Sequence, residues 1–507
     1  MRSFPILCLL LLVLPVPHAA AQPASSAQAE TPGYYFMMGR YLENVGRIED
    51  AIAAHRRAIA LAPSAAEPYG ELAGLYARQN RAVDALRAAE SALKIDAGNR
   101  EANRILGTVY GALSEQGQPL RPGEDPAQYA AMAIAALERS RRDSDFDPNI
   151  ELMLGRLYSQ EGEPEKAIAP LRRVVEDYPG YPDAAMMLAD SYADAGQPAE
   201  AAEALEAALT QNPSFFRGRL RLAEIYEQQR RFKEAAAAYA AARAVNPRVE
   251  LTSAHATALI NAGEAAEARA MLKAAVDDRP KADASHLYLL GQAERRLGNP
   301  AAASAAAARL KDSYPGDLRG VFLDAQVASD EGRHQDAIAA YERLIAEVPD
   351  DPTFVYQYAH VLESVGRPGD AERALRDLLA RSPEDANALN SLGYMFAQRG
   401  ERLDEAVELL HRALTFEPGN PSFLDSLGWA YFRQGRDDLA EEPLARAAAA
   451  LPAISVVQDH LGDLRFRQKR FADAAAAWER ALAGDGEDID RAVVEKKLQD
   501  ARDRLAK

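Results

Sequence analysis

One alanine returns along this chain at a nearly fixed interval: Ala51, Ala85, Ala133, Ala167, Ala201, Ala235, Ala268, Ala303, Ala337, Ala371, Ala406, Ala440 and Ala474. Eleven of the twelve steps are 33, 34 or 35 residues, and the exception is 48. A period of that length holds two helices and their turns, and one regular element does not fill it. Two further series keep the same register. A proline closes most copies, at Pro63, Pro179, Pro213, Pro247, Pro280, Pro315, Pro349, Pro383, Pro418 and Pro452. A glycine marks the turn inside most copies, at Gly46, Gly162, Gly196, Gly263, Gly298, Gly332, Gly366, Gly400 and Gly435. The chain therefore reads as thirteen copies of one unit, from about Thr31 to Ala483.

The clearest copies lie between Ala386 and Pro452. The first runs A-N-A-L-N-S-L-G-Y-M-F, turns at Gln398-Arg399-Gly400, and continues D-E-A-V-E-L-L-H-R-A-L-T-F-E-P. The second repeats the sentence as P-S-F-L-D-S-L-G-W-A-Y-F, Gln434-Gly435-Arg436 and D-L-A-E-E-P-L-A-R-A. Apolar residues three and four apart make each half an amphipathic helix. Gly393 and Gly428 suit a crossing where a larger side chain would hold two backbones apart, and Ala406 and Ala440 answer them from the second helix. Leu392, Phe396, Leu427 and Tyr431 fill the space between, and Pro418 and Pro452 end the second helix. This pattern resembles the tetratricopeptide repeat (TPR). The expected fold is all-α, a TPR α-solenoid of stacked helix pairs; the resemblance supplies a right-handed superhelix.

Departures from the period place the boundaries. Met1 to Ala21 has the order of an export signal: Arg2, an apolar run from Ile6 to Leu14, Pro15 and Pro17, then Ala19-Ala20-Ala21 before Gln22. An apolar run of nine is too short to cross a bilayer. Cys8, the lone cysteine, follows Pro5-Ile6-Leu7 and makes a poor lipoprotein site. The mature chain is thus expected in the periplasm without thiol or lipid, opening on a flexible leader over 22–30. The 48-residue step carries an insertion at about 114–126, and Asp125-Pro126 suits a helix start there. His255 and Asp324 stand at positions other copies give to leucine, and Ala328 replaces an aromatic, so 249–326 is the candidate joint. Residues 484–507 form a linker and a charged helix of the kind that caps a solenoid.

Chemistry is sparse. The eight histidines (His18, His55, His255, His286, His334, His360, His411 and His460) are scattered, and none is paired at metal-ligand spacing. Neither a phosphate-cradling loop nor a G-x-S-x-G elbow occurs. No catalytic residue, cofactor, metal or small-molecule substrate is expected. A formal charge of −17 argues against nucleic acid as a partner. The reading is a binding protein, with a protein or extended peptide as its partner.

In stacked pairs the first helix lines the inner side. Its inward positions are Tyr356, His360, Asn387, Asn390, Tyr394, Asp425, Trp429, Asp459 and Phe466 in the later copies. Arg156, Met186, Arg217, Leu220, Tyr288 and Phe322 are their counterparts earlier. Asn390, Tyr394 and Trp429 form the sharpest set, amides beside large aromatics; Tyr394 and Trp429 equally suit packing on the next repeat. The whole chain resembles exported bacterial TPR proteins. The block L-N-S-L-G-Y-M-F…L-D-S-L-G-W-A-Y-F is particularly similar to outer-membrane lipoprotein adaptors of periplasmic carboxy-terminal processing proteases. That resemblance implies a scaffold holding a protease and its client; the missing lipoprotein site departs from it. The carboxylate clamp of eukaryotic relatives is not evident, since Arg104, Arg156 and Arg217 are dispersed. A structural scaffold of an envelope secretion or exopolysaccharide export complex is the alternative.

Overall fold

The computed structural model describes residues 30–142, 146–248, 250–277, 282–486 and 488–506. The segment expected to be an export signal, nearly all of the expected leader, and Pro280 lie outside them. Among the described residues there are twenty-seven α-helices, one 3₁₀ turn (Pro126–Gln128) and no strand. Twenty-six of the helices form thirteen pairs, from Pro32–Asn44 with Ile48–Leu61 to Ser455–Arg467 with Phe471–Ala483; Arg491–Leu505 follows. All thirteen register alanines have 0% exposure, so each copy closes on the same small side chain.

The turns explain the glycine series. All nine glycines are left-handed, with φ between 67° and 81°. Three copies without the glycine put Asn80, Arg230 and Lys469 into the same region, at φ 58°, 57° and 64°. The tight turn imposes that conformation whatever residue is supplied, at a cost of about 1 kcal/mol for a side chain with a Cβ. The closing prolines act one residue upstream. Ala62, Tyr178 and Leu451, each before a proline, have ψ of 77°, 66° and 62°, outside the helical well.

At the crossings of Gly393 and Gly428, the side chain met by the glycine lies one turn after the register alanine. A Cβ on Gly428 would fall 2.5 Å from Leu444 Cγ, and one on Gly393 would fall 2.7 Å from Leu410 Cγ and 3.1 Å from the Ala406 carbonyl. The insertion is tied to its own repeat and to the one before it. The Leu120 amide donates to the Tyr129 hydroxyl (2.9 Å), which donates to Glu124 (2.8 Å), and Arg121 reaches Glu90 (2.7 Å). Asp125 caps the 3₁₀ turn by accepting from the Ala127 amide at 3.1 Å.

Two compact units divide the chain, Met1–Pro247 and Arg248–Lys507. In the first, the place of Leu444 is taken at the opening repeat by His55. A Cβ on Gly39 would lie 2.5 Å from its Nε2. The ring is fully buried, and among the described residues neither nitrogen has a partner. Burial, aided by the charge of Arg40, pulls its pKa down to about 4. The unfolded chain therefore takes up the proton first, and stability present above about pH 6.5 is lost as pH falls toward 4. Between pH 7 and 5 the protein is expected to lose about 2 kcal/mol more stability in urea than His55→Leu does. Equal losses would mean the ring is solvated.

In the second unit the main apolar core runs from Phe322 to Ala477. The weak copies before it hold smaller clusters, around Val276, Leu287 and Leu310 and around Ala303, Leu323 and Val327. Asp324 stays at the margin and pairs with Lys311, while His255 and Ala328 are buried. Val494, Leu498 and Ala501 of the last helix cover Ala474, Ala475 and Trp478, as a cap must. Along the last four pairs the first helices (Pro352–Ser364, Ala386–Arg399, Pro421–Arg433, Ser455–Arg467) pack side by side. They position the candidate site.

Candidate functional site

Between Pro352–Ser364 and Ala386–Arg399 lies a cleft of about 460 Å³. Tyr356, His360 and Glu363 line it from the first helix, Asn390, Tyr394 and Gln398 from the second, and Asp488 of the C-terminal linker from outside. The spacing of three or four residues within each helix puts these side chains on one stripe. Tyr356 donates its hydroxyl to Asp385 at 2.6 Å. Among the described residues the Tyr394 hydroxyl and the Glu363 carboxylate have no such partner, and the Asn390 Oδ1 is buried without a donor. Burial raises the Tyr394 pKa, and Asp425, Asp488, Glu363 and Asp459 raise it further, so its hydroxyl remains a donor. Burial also holds Glu363 above the usual carboxylate range, against the pull of His360 and Arg399.

The wall beside the cleft is closed by aromatic and polar packing. Trp429, 8% exposed, stacks on His460 at 4.0 Å and on Phe432 at 4.9 Å, and its indole N–H donates to Gln398 Oε1 at 2.8 Å. His460 Nδ1 meets both oxygens of Asp425, at 3.1 and 3.0 Å, with both side chains buried. Farther on, Asp459 accepts from the Trp478 indole at 2.8 Å and from Lys497 at 2.9 Å. Lys497 also reaches Asp463 at 2.8 Å. Burial pulls the Lys497 pKa down, but Asp463 and Asp459 outweigh it and hold the ammonium above its ordinary value.

Of the residues singled out in the sequence, Tyr356, His360, Asn390 and Tyr394 meet in the cleft, and Asn387 lies exposed one turn before Asn390. Asp425 and Trp429 are structural parts of the wall rather than open surface, because neighbouring repeats supply them with partners. Phe466 is turned toward the cap, between Trp478 at 5.5 Å and Phe471 at 5.3 Å, with Arg504 over its ring. Phe322 is core, 5.3 Å from Phe354. Arg156, paired with Glu115 at 3.1 Å, and exposed Arg217 belong to the first unit. Sequence reasoning missed Glu363 and Gln398, although each follows a chosen residue by one helical turn. Nothing local marked Asp488. Among the described residues no group of three acidic, histidine or cysteine side chains could hold a metal ion.

Comparison with known proteins gives a consistent family. The model described as Tetratricopeptide repeat matches residues 36–100, 186–248, 253–317, 322–364, 356–421 and 401–453, and a second of that description matches 148–191. The curated TPR repeat-containing protein PA4667 of Pseudomonas aeruginosa is 44% identical over 78 residues, which are 15% of this chain and 13% of that protein. Naa15/Naa10 bound to HypK-THB is a similar solved structure, with TM-score 0.42 and 15% identity over 89% of this chain and 68% of that one. A tetratricopeptide repeat protein from Parabacteroides merdae has TM-score 0.40 and 17% identity over 50% of this chain and 97% of that one. Yeast Tom70 has TM-score 0.36 and 16% identity over 94% and 96%.

Proposed function

The chain belongs to the tetratricopeptide-repeat family, and from that premise we propose that it is a non-catalytic adaptor whose second unit binds an extended segment of a partner protein. The observation that carries this reading is the cleft itself. Two consecutive first helices bring four inward residues together, and among the described residues the Asn390 Oδ1, the Tyr394 hydroxyl and the Glu363 carboxylate there lack partners. Repeat proteins bind along such rows because the helix spacing suits an extended chain. The tyrosines offer large contact area at low entropic cost.

The place of work we propose is the periplasm, on the strength of Arg2, the apolar run and the small residues before Gln22. Among the described residues no helix is long and apolar enough to cross a membrane. The resemblance of the block L-N-S-L-G-Y-M-F…L-D-S-L-G-W-A-Y-F to protease adaptors supports the proposal that it presents clients to an envelope protease.

One experiment addresses both parts. Tagged protein and its Tyr394→Ala variant are recovered from an envelope fraction, compared for what they capture, and sequenced from the amino terminus. Tyr394→Ala is expected to lower capture about tenfold or more per folded molecule, with its thermal midpoint recorded beside it because the ring also packs on the core, and the recovered chain to begin near Gln22. Equal capture by the variant removes the groove from the reading. Recovery of intact Met1 from the cytoplasm removes the periplasm.

A further inference from the structure

We infer that the cleft is a subsite for a lysine or arginine side chain of the bound segment, and that the C-terminal linker supplies one of its walls. The inference rests on the groove reading above and names the chemistry that the groove selects.

The lining is rich in unmatched acceptors. Glu363 has neither hydrogen bond nor ion pair among the described residues, although it is partly buried. A carboxylate drawn partly out of water, with only the unbonded pull of His360 and Arg399 to offset its burial, is raised in energy, and a cation placed beside it restores the balance. Asp488 faces the same space. Asp425 and Asp459 also act on Tyr394 but are met by His460 and Lys497, so Glu363 and Asp488 are the carboxylates that favour a positive charge there.

The linker is held at this place from both sides. Asp485 accepts from the Ser455 amide at 3.0 Å and donates its own amide to the Ala453 carbonyl at 2.9 Å. The Gly486 amide donates to Ser455 Oγ at 2.8 Å. Gly484 allows the approach, since a Cβ there would lie 2.6 Å from the Ala453 carbonyl oxygen. After Asp488, whose φ is 57°, Asp490 caps the last helix by accepting from the Ala492 amide at 3.0 Å. Asp488 lies in the chain between these two anchors.

The aromatic walls point the same way. Elsewhere in this unit, cations already cover aromatic faces: Arg402 over Phe396 at 4.7 Å, Arg433 over Trp429 at 5.6 Å, Arg436 over Tyr431 at 5.5 Å, and Arg467 over Phe432 at 3.4 Å. Among the described residues Tyr356 and Tyr394 carry none. A guanidinium or ammonium between them would gain the same cation–π contact while meeting Glu363 and Asp488. The acceptors are spread around a space of about 460 Å³, which suits a charged group on a long stem.

The test pans random peptides displayed on phage against the full-length chain. Enriched peptides are expected to share a lysine or arginine at one position. Replacing that residue with citrulline or norleucine should weaken binding about tenfold or more. Glu363→Gln and Asp488→Asn should each weaken the basic peptide about tenfold, leave the neutral peptide unchanged, and reduce the salt sensitivity of binding. Thermal midpoints of both variants serve as the folding control. Peptides that need Tyr394 but carry no basic residue, or that ignore both substitutions, overturn the subsite and leave the groove reading standing. Peptides indifferent to Tyr394→Ala as well overturn both. Tighter binding by Asp488→Asn makes the linker a competitor and also overturns the inference.

Discussion

Gly428→Leu is expected to unfold the end of the second unit while the first unit keeps its structure. The argument begins at the Gly428 backbone. A Cβ there would sit 2.5 Å from Leu444 Cγ and 3.1 Å from the Leu444 amide nitrogen. The Leu444 side chain could rotate away from a lone methyl, but its backbone nitrogen cannot, and Leu444 is already fully buried. Leucine adds three more carbons to a crossing that has no room for the first. Separating Pro421–Arg433 from Asp437–Ala450 costs at least about 3 kcal/mol. The damage spreads because stacked repeats are stabilised mainly by their neighbours. Trp429 lies beside Gly428 in sequence and carries the stack onto His460 of the following pair. Hydrogen exchange read by mass spectrometry checks the outcome. Peptides from Pro421 onward should lose protection, and those before Pro247 should not. Wild-type protection throughout would mean that the crossing can open without cost.

What the sequence made legible was whatever lies within one period. The alanine register, the closing prolines and the turn glycines are fixed by a helix pair meeting itself, so local spacing suffices to find them. The stripe Tyr356, His360, Asn390 and Tyr394 was legible for the same reason, as a consequence of 3.6 residues per turn. Side chains whose surroundings come from the next copy were harder. Trp429 finds Gln398 and Asp425 finds His460, thirty-one and thirty-five residues away, so their burial depends on the pairing of neighbours. Phe466 followed the groove pattern and was diverted by the cap, which provides Arg504 over its ring. The left-handed residues Asn80, Arg230 and Lys469 were invisible, because the turn overrides the identity of the residue. Asp488 could not be read at all. It reaches the cleft through anchors on Ser455 and Ala453 that carry no periodic signal.

Trp429→Ala is expected to cost about 3–5 kcal/mol of stability in the last repeats, the usual range for deleting a buried indole. The ring is 8% exposed, with His460 on one contact at 4.0 Å and Phe432 on another at 4.9 Å. Its removal leaves Asp425 and His460, both buried, beside a void. Trp429→Phe should be milder. It keeps apolar stacking and loses the hydrogen bond to Gln398, whose exposed side chain water can satisfy, for about 1 kcal/mol. The protein itself provides the reporter. Its two tryptophans are Trp429 and Trp478, so the alanine variant retains only Trp478, which is buried in the final pair. In urea, Trp478 fluorescence should change at a clearly lower midpoint in Trp429→Ala than in wild type, because the final pair stacks on the one that has been weakened. Tyr394→Ala should differ in kind: capture falls even per folded molecule because Tyr394 lines the cleft, and the midpoint falls less than in Trp429→Ala because the tyrosine is only partly buried against the core. An unchanged Trp478 midpoint in Trp429→Ala, joined to a loss of capture, would show that the indole contributes to the partner rather than to the stack.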